Sequence, residues 1–190
     1  MKLVGTQQPT NSDEELVLQV AGGELASLGH LFDRYHIPMR RFLSRMQVRE
    51  TDLDDLVQTT FLQIPRAAMR FDATRPVKGW LFGLATIEVK RHRRTLSRFA
   101  RKLAAFAREP SHRASPSPAD VVGDSQAARR AERALAALSE KKRDVFVMVV
   151  LEELPGGMVA HALGIPEGTV WTRLHHARRE LADMLKEDEP

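Results

Sequence analysis

Val159-Ala160-His161-Ala162-Leu163-Gly164-Ile165-Pro166-Glu167-Gly168-Thr169-Val170-Trp171-Thr172-Arg173-Leu174 is the stretch that decides the fold. Val159, Ala160 and Leu163 give a first helix an apolar face, and Ala160 is small where two helices must approach closely. Gly164 supplies the positive φ that the tight turn between them needs. Beyond Pro166 a second helix carries Val170, Leu174, Ala177 and Leu181 inward, with Val170 pinning it onto the first. Thr169, Trp171, Thr172, Arg173, His175, His176, Arg178 and Arg179 are left towards solvent or DNA. Such a helix offers its N-terminal part to base edges and its basic side chains to phosphates. Ser139–Leu185 therefore reads as a helix-turn-helix. A helical hairpin that docks another protein is the alternative, and the exposed arginines speak against it.

Working outward, the chain divides in two. Glu109–Gly123, with Pro110, Pro116, Pro118 and several serines, reads as a linker. Before it, Ser12 and Glu15 form a capping box that opens a short helix through Val20, stopped by Gly22 and Gly23. A second helix begins near Glu24 with Leu28, Phe32, Tyr35, Met39, Phe42 and Met46 on one stripe, and Pro38 should kink it without ending it. Thr51 is the expected cap of a third helix, whose inner face is Leu53, Val57, Phe61 and Ile64. A turn at Phe71–Pro76 precedes a fourth helix with Trp80, Leu81, Leu84 and Ile87, extending towards Phe106. After the linker come helices at Ser125–Leu138 and Ser139–Glu153, then two shorter elements ending near Leu185. No segment alternates with period two, so no strand is expected. The expected fold is all-α, with two small helical domains. Its divisions are a tail at 1–11, a domain at 12–108, a linker at 109–124, a domain at 125–186 and a tail at 187–190.

Composition narrows the function. A hydrophobic content of 43% in 190 residues supports packed cores. No cysteine is present, which removes disulfides, thiolate zinc sites and cysteine nucleophiles. The seven histidines form no metal spacing, and His175 and His176 point about 100° apart on a helix. There is no Gly-rich phosphate loop, GxSxG or HExxH, so neither an enzyme nor a cofactor is expected. No apolar run approaches the roughly 20 residues of a bilayer span, and Met1–Asn11 lacks a signal-peptide core. A soluble cytoplasmic protein without membrane insertion is expected.

The net charge of +4 is unevenly spread. Glu50, Asp52, Asp54 and Asp55 form an acidic cluster. Lys90, Arg91, Arg93, Arg94 and Arg98 begin a basic run that continues to Arg113 against only Glu88 and Glu109. Two surfaces of opposite sign imply two kinds of partner. The basic run could be a solvated helix face, but its self-repulsion is relieved naturally by phosphates with release of counterions.

At this point a resemblance is visible. Gly168-Thr169-Val170-Trp171-Thr172-Arg173-Leu174-His175-His176-Ala177-Arg178 resembles the GTVxSRLxRAR signature of region 4 in extracytoplasmic-function (ECF) sigma factors of the sigma-70 family. Asp54-Asp55-Leu56-Val57-Gln58-Thr59-Thr60-Phe61-Leu62 is similar to the (E/D)DLVQxxF motif of their region 2. Trp80-Leu81-Phe82-Gly83-Leu84-Ala85 is similar to the WLxxIA motif that follows it. Two motif sets in the right order are more specific than either alone.

The resemblance implies a factor that binds core RNA polymerase at the β′ clamp helices and β flap, recognises promoter DNA and promotes transcription initiation. It assigns Asp54, Asp55, Leu56, Gln58 and Phe61 to polymerase docking, although the spacing of Phe61 also suits the domain's own core. The minus-ten element falls to Lys78, Trp80, Lys90, Arg91, Arg93, Arg94 and Arg98. The loop Phe71–Lys78 corresponds to the family's pocket for an extruded base. The minus-thirty-five element falls to Thr169, Trp171, Thr172, Arg173, His175, His176, Arg178 and Arg179. An anti-sigma factor clamped between the domains is a partner the family offers.

The sequence also departs from the pattern. Ile87 stands where Asn is usual and Arg91 near a usual Asp, which points to an altered minus-ten preference or weaker melting. Pro155-Gly156-Gly157-Met158 replaces a segment that usually ends in Glu, and paired glycines weaken a helix start by about 1 kcal/mol each. Trp171 and His176 stand where basic or polar residues are common. Two other readings follow: a helix-turn-helix regulator without polymerase docking, for which the Asp54–Phe61 motif has no use, and a degenerate sigma-like binding partner or decoy.

Overall fold

The computed structural model describes residues 11–107 and 126–187, with side chains for 11–101 and 129–186. The expected linker at 109–124 lies outside the described residues. Within them the protein is all-α, with no strand.

Helix α1 (Asp13–Ala21) starts as its sequence dictates. The Ser12 side chain accepts from the Glu15 amide at 3.2 Å, and the Glu15 carboxylate accepts from the Ser12 amide at 3.0 Å. Helix α2 (Leu25–Arg45) runs through Pro38 as one element, because Leu31, Met39, Phe42 and Leu43 bury a continuous stripe on both sides of it. Helix α3 spans Glu50–Ala68 and begins earlier than expected. Arg49, not Thr51, is its N-cap, and Thr51 lies inside the first turn. Glu50 and Asp52 occupy that turn, where carboxylates favour the positive helix end, and Arg49 Nε donates to Asp52 at 2.9 Å.

Helix α4 (Val77–Ala107) is the long spine of the molecule. Phe82 stacks on Phe42 with centroids 4.5 Å apart, joining α4 to α2. Leu81, Ala85 and Val89 extend the same buried stripe. As far as Lys102 the basic run therefore belongs to a continuous helix and not to an irregular arm, while Arg108 and Arg113 lie outside the described residues.

The C-terminal half contains α5 (Gln126–Ala137), α6 (Glu140–Phe146), α7 (Gly156–Leu163) and α8 (Glu167–Glu187). The expected single helix at Ser139–Glu153 changes character midway. Val147–Leu151 is a π-helical turn, and Glu153 closes it with a left-handed φ of 57°. The last element was expected to be short, but α8 is 21 residues long, because its buried stripe of Val170, Leu174, Ala177 and Leu181 spans several turns. Gly164 ends α7 with φ 65° and ψ 44°, as the turn requires.

Arg143 ties α5 to α6. Its guanidinium is buried and donates to the carbonyls of Leu135, Ala136 and Leu138 at 3.0, 2.8 and 2.6 Å. These are carbonyls at the end of α5 that the helix itself leaves without donors. The two halves then meet. Helix α7 packs across α4, and their buried side chains form one continuous apolar cluster.

Candidate nucleic-acid interface and polymerase-docking face

On α3 the acidic motif splits by helical periodicity. Asp54, Asp55 and Gln58 are exposed, whereas Leu56 and Phe61 are buried at 6% and 4% exposure. Phe61 meets Phe32 edge-on at 5.0 Å, so its ring belongs to the core rather than to the surface. Leu56 supports the helix from within in the same way. Arg40 on α2 pairs with Glu50 and with Asp54, the latter at 3.0 Å, and holds the acidic face together. Burial alone would raise the Asp52 carboxyl. Hydrogen bonds from Arg49 and Thr51, with the charges of Arg49 and His92, outweigh it and hold Asp52 below the usual carboxylate range.

Trp80 is half-buried against Phe71, with centroids 4.9 Å apart. Together they flank a cavity of about 520 Å³ at the junction of α3, α4 and α7. Arg66, Arg70, Ile87 and Arg91 line it from the N-terminal half, and Met158 and His161 line it from α7. Ile87 is 46% exposed and presents an alkyl side chain at that wall. The Phe71–Pro76 turn is organised by Asp72, which accepts from the Thr74 amide at 3.1 Å and its hydroxyl at 2.7 Å. These two bonds, with the nearby Arg75 charge, lower the Asp72 pKa.

The basic residues of α4 do not share one environment. Lys78 pairs with Glu152 at 3.1 Å and lies over the Phe82 ring. Lys90 donates to the Leu163 carbonyl at the end of α7, at 2.8 Å. Burial lowers the Lys90 pKa, and the charges of Arg94, Arg173 and Arg93 push the same way against Asp144. Arg93 reaches Asp144 at 3.2 Å and the Met46 carbonyl at 2.5 Å. Arg91 pairs with Glu88 one turn away at 3.0 Å. Arg94 and Arg98 are exposed. Self-repulsion of the run is thus relieved partly by carboxylates and carbonyls of the protein itself. Phosphates are the relief that the run alone suggests, because Asp144 and Glu152 lie far away in the chain.

On α8 the buried stripe leaves Trp171, Thr172, His175, His176, Arg178 and Arg179 exposed, with Thr169 and Arg173 partly so. His175 and His176 meet edge-on at 5.6 Å and both face outward. No group of metal-binding side chains occurs among the described residues. Gly156 gains a specific role. A Cβ there would lie 2.5 Å from Trp171 Cζ2, so the glycine makes room for the indole. No described helix is long and apolar enough to cross a membrane.

Residues 31–108 match the family Sigma-70 region 2, and residues 128–181 match Sigma-70, region 4. The chain is 30% identical to the ECF RNA polymerase sigma factor SigM of Mycobacterium tuberculosis over 175 residues, covering 92% of this chain and 85% of that protein. The chain belongs to the ECF sigma factors.

Another relative of this ECF sigma factor is the RNA polymerase sigma factor CnrH of Cupriavidus metallidurans, 27% identical over 95% of this chain and 97% of its own. The solved structure of CnrH in complex with the cytosolic domain of CnrY shares the fold, with a TM-score of 0.66 at 24% identity over 94% of this chain and all of that one. RpoE of Bartonella quintana, solved with the anti-sigma factor NepR, shares it at a TM-score of 0.65 and 20% identity, over 90% of this chain and 99% of that one. As a family member the protein is a transcription initiation factor, and such factors are not themselves catalysts.

Proposed function

We propose that this ECF sigma factor divides its labour between its two halves. The exposed Asp54, Asp55 and Gln58 on α3 dock on the β′ clamp helices of core polymerase, with Leu56 and Phe61 supporting that helix from below. Lys78, Trp80, Lys90, Arg91, Arg93, Arg94 and Arg98 on α4 serve the minus-ten element and its separated strand. The outer face of α8 reads the minus-thirty-five element as duplex. Domains at 12–108 and 125–186 carry these roles, the protein works in the cytoplasm and catalyses nothing itself, and the β flap is the second polymerase contact.

The observation that carries the reading is the clean separation of faces on α8. Val170, Leu174, Ala177 and Leu181 are buried while Arg178, Arg179 and the two histidines point away from the core. A duplex can approach that face without unfolding anything. Ile87 on the cavity wall replaces amide hydrogen bonding with apolar contact, which supports an altered minus-ten preference. An anti-sigma factor as a further partner is supported by the complex of RpoE with the anti-sigma factor NepR.

The test is footprinting of the polymerase holoenzyme on a promoter selected from the genome. Arg173→Ala abolishes protection of the minus-thirty-five element and leaves core binding intact. Loss of core affinity in that variant contradicts the division of labour.

A further inference from the structure

The start of α8 offers a duplex an apolar plate. Over its first two turns the exposed positions are Glu167, Gly168, Trp171 and Thr172, with Thr169 and Arg173 partly exposed. In a helix seated in the major groove, the N-terminal residues are the ones that reach base edges. Three of the four exposed positions offer little there. The Glu167 carboxylate lies beside Gly156 at the start of α7 and carries the sign that phosphates repel. Gly168 has no side chain, and the Thr172 hydroxyl commits its proton to the Gly168 carbonyl at 2.9 Å. Trp171 is left, with 49% of its surface exposed.

The indole is also held still. A Cβ on Gly156 would lie 2.5 Å from Trp171 Cζ2 and 3.0 Å from Cε2, so one edge of the ring rests against the start of α7. Gly156 is thus a positioning residue for the ring. An indole already fixed in the free chain gives up little rotamer freedom on binding.

The major groove offers such a ring a single good partner. Adenine, guanine and cytosine present hydrogen-bond donors and acceptors there, whereas thymine adds the C5 methyl, the one apolar group on a base edge. An indole face laid over a donor or acceptor leaves it without a partner. Laid over a methyl group, it removes apolar surface from water on both sides.

We infer that Trp171 reads thymine: the minus-thirty-five element carries a thymine whose C5 methyl packs on the exposed face of the indole. The inference rests on the assignment of α8 to that element. It follows from two departures of this chain from the family pattern, Trp171 itself and the glycine that seats it.

Replacing thymine by deoxyuridine tests it, because deoxyuridine pairs identically and lacks only the C5 methyl. On the promoter used for footprinting, each thymine of the minus-thirty-five region is replaced singly, on either strand. Binding to holoenzyme carrying the full-length chain is then measured by competition. At one position the replacement should weaken binding about fourfold, the worth of one buried methyl group. Holoenzyme carrying Trp171→Ala should bind the two duplexes alike, and Trp171→Phe, which keeps a flat apolar face, should retain part of the difference.

The scan on the parent chain is decisive without any variant: an element with no thymine, or one in which no replacement matters, overturns the reading of thymine and leaves the proposed function standing. A sensitive position that stays equally sensitive in Trp171→Ala assigns the methyl to another side chain and overturns it too. So does a Trp171→Ala loss that is the same on every duplex, which places the indole on the sugar-phosphate backbone. Absence of any protection over the minus-thirty-five region by the parent holoenzyme overturns the assignment of α8, and the inference falls with it.

Discussion

Trp171 lies over Gly156, and a methyl group on that glycine would come within 2.5 Å of the indole. Both residues depart from the family pattern, and the contact between them accounts for a glycine opposite the indole. Gly156→Ala should destabilise the protein by about 1–3 kcal/mol through overpacking. Adding Trp171→Leu should recover most of that loss. A double-mutant cycle from urea melts measures the coupling, and strictly additive effects would show that the pair is not in contact.

Arg143 supplies three donors to the end of α5. Arg143→Met keeps the apolar stem but leaves buried carbonyls without partners, at a cost of about 3 kcal/mol. Chemical denaturation should show the loss as a lower midpoint with an unchanged slope.

Gly164, the capping box at Ser12 and the stripes of α3 and α8 were legible, because each is a local relation between neighbours in the chain. The start of α3 was missed because Glu50 and Asp52 suit a first turn as well as Thr51 suits a cap. The π turn at Val147–Leu151 falls in an unbroken apolar run, so no periodicity marks where the helix widens. Met158 on Gly79, and Lys78 on Glu152, join residues from different halves of the chain, and no local signal encodes which turn meets which. Exposure within the docking motif was half legible: periodicity pointed to a core role for Phe61 but left it among the contacts.

Asp144 links stability to pH. Burial raises its pKa above the usual carboxylate value, although Arg93 opposes the shift. The native state therefore holds the proton more readily than the unfolded chain does. Its contribution is complete below the ordinary carboxylate pKa of about 4 and is lost as pH rises through the elevated native value. The stability of the parent relative to Asp144→Asn should fall over that window and then level off. Urea melts of both chains over the acid-to-neutral range give the difference directly, and a difference that rises with pH has the wrong sign.

The acidic face of α3 should matter for docking and little for folding. Asp54 and Asp55 are exposed, so Asp54→Arg/Asp55→Arg should shift stability only slightly, by about 0.5 kcal/mol or less per residue. Affinity for core polymerase should fall by about tenfold through like-charge repulsion and loss of the Arg40 pair. Fluorescence anisotropy of the labelled sigma factor against core polymerase reads the affinity, and a thermal melt reads the stability.

This chain alone should turn core polymerase into a promoter-specific enzyme. Run-off transcription with purified core polymerase and a library of genomic fragments tests it most directly. Discrete transcripts should appear from a small set of fragments, absent without the chain and lost with Arg173→Ala. A chain that binds core polymerase but yields no transcript from any fragment would be a decoy, and that result would contradict the claim.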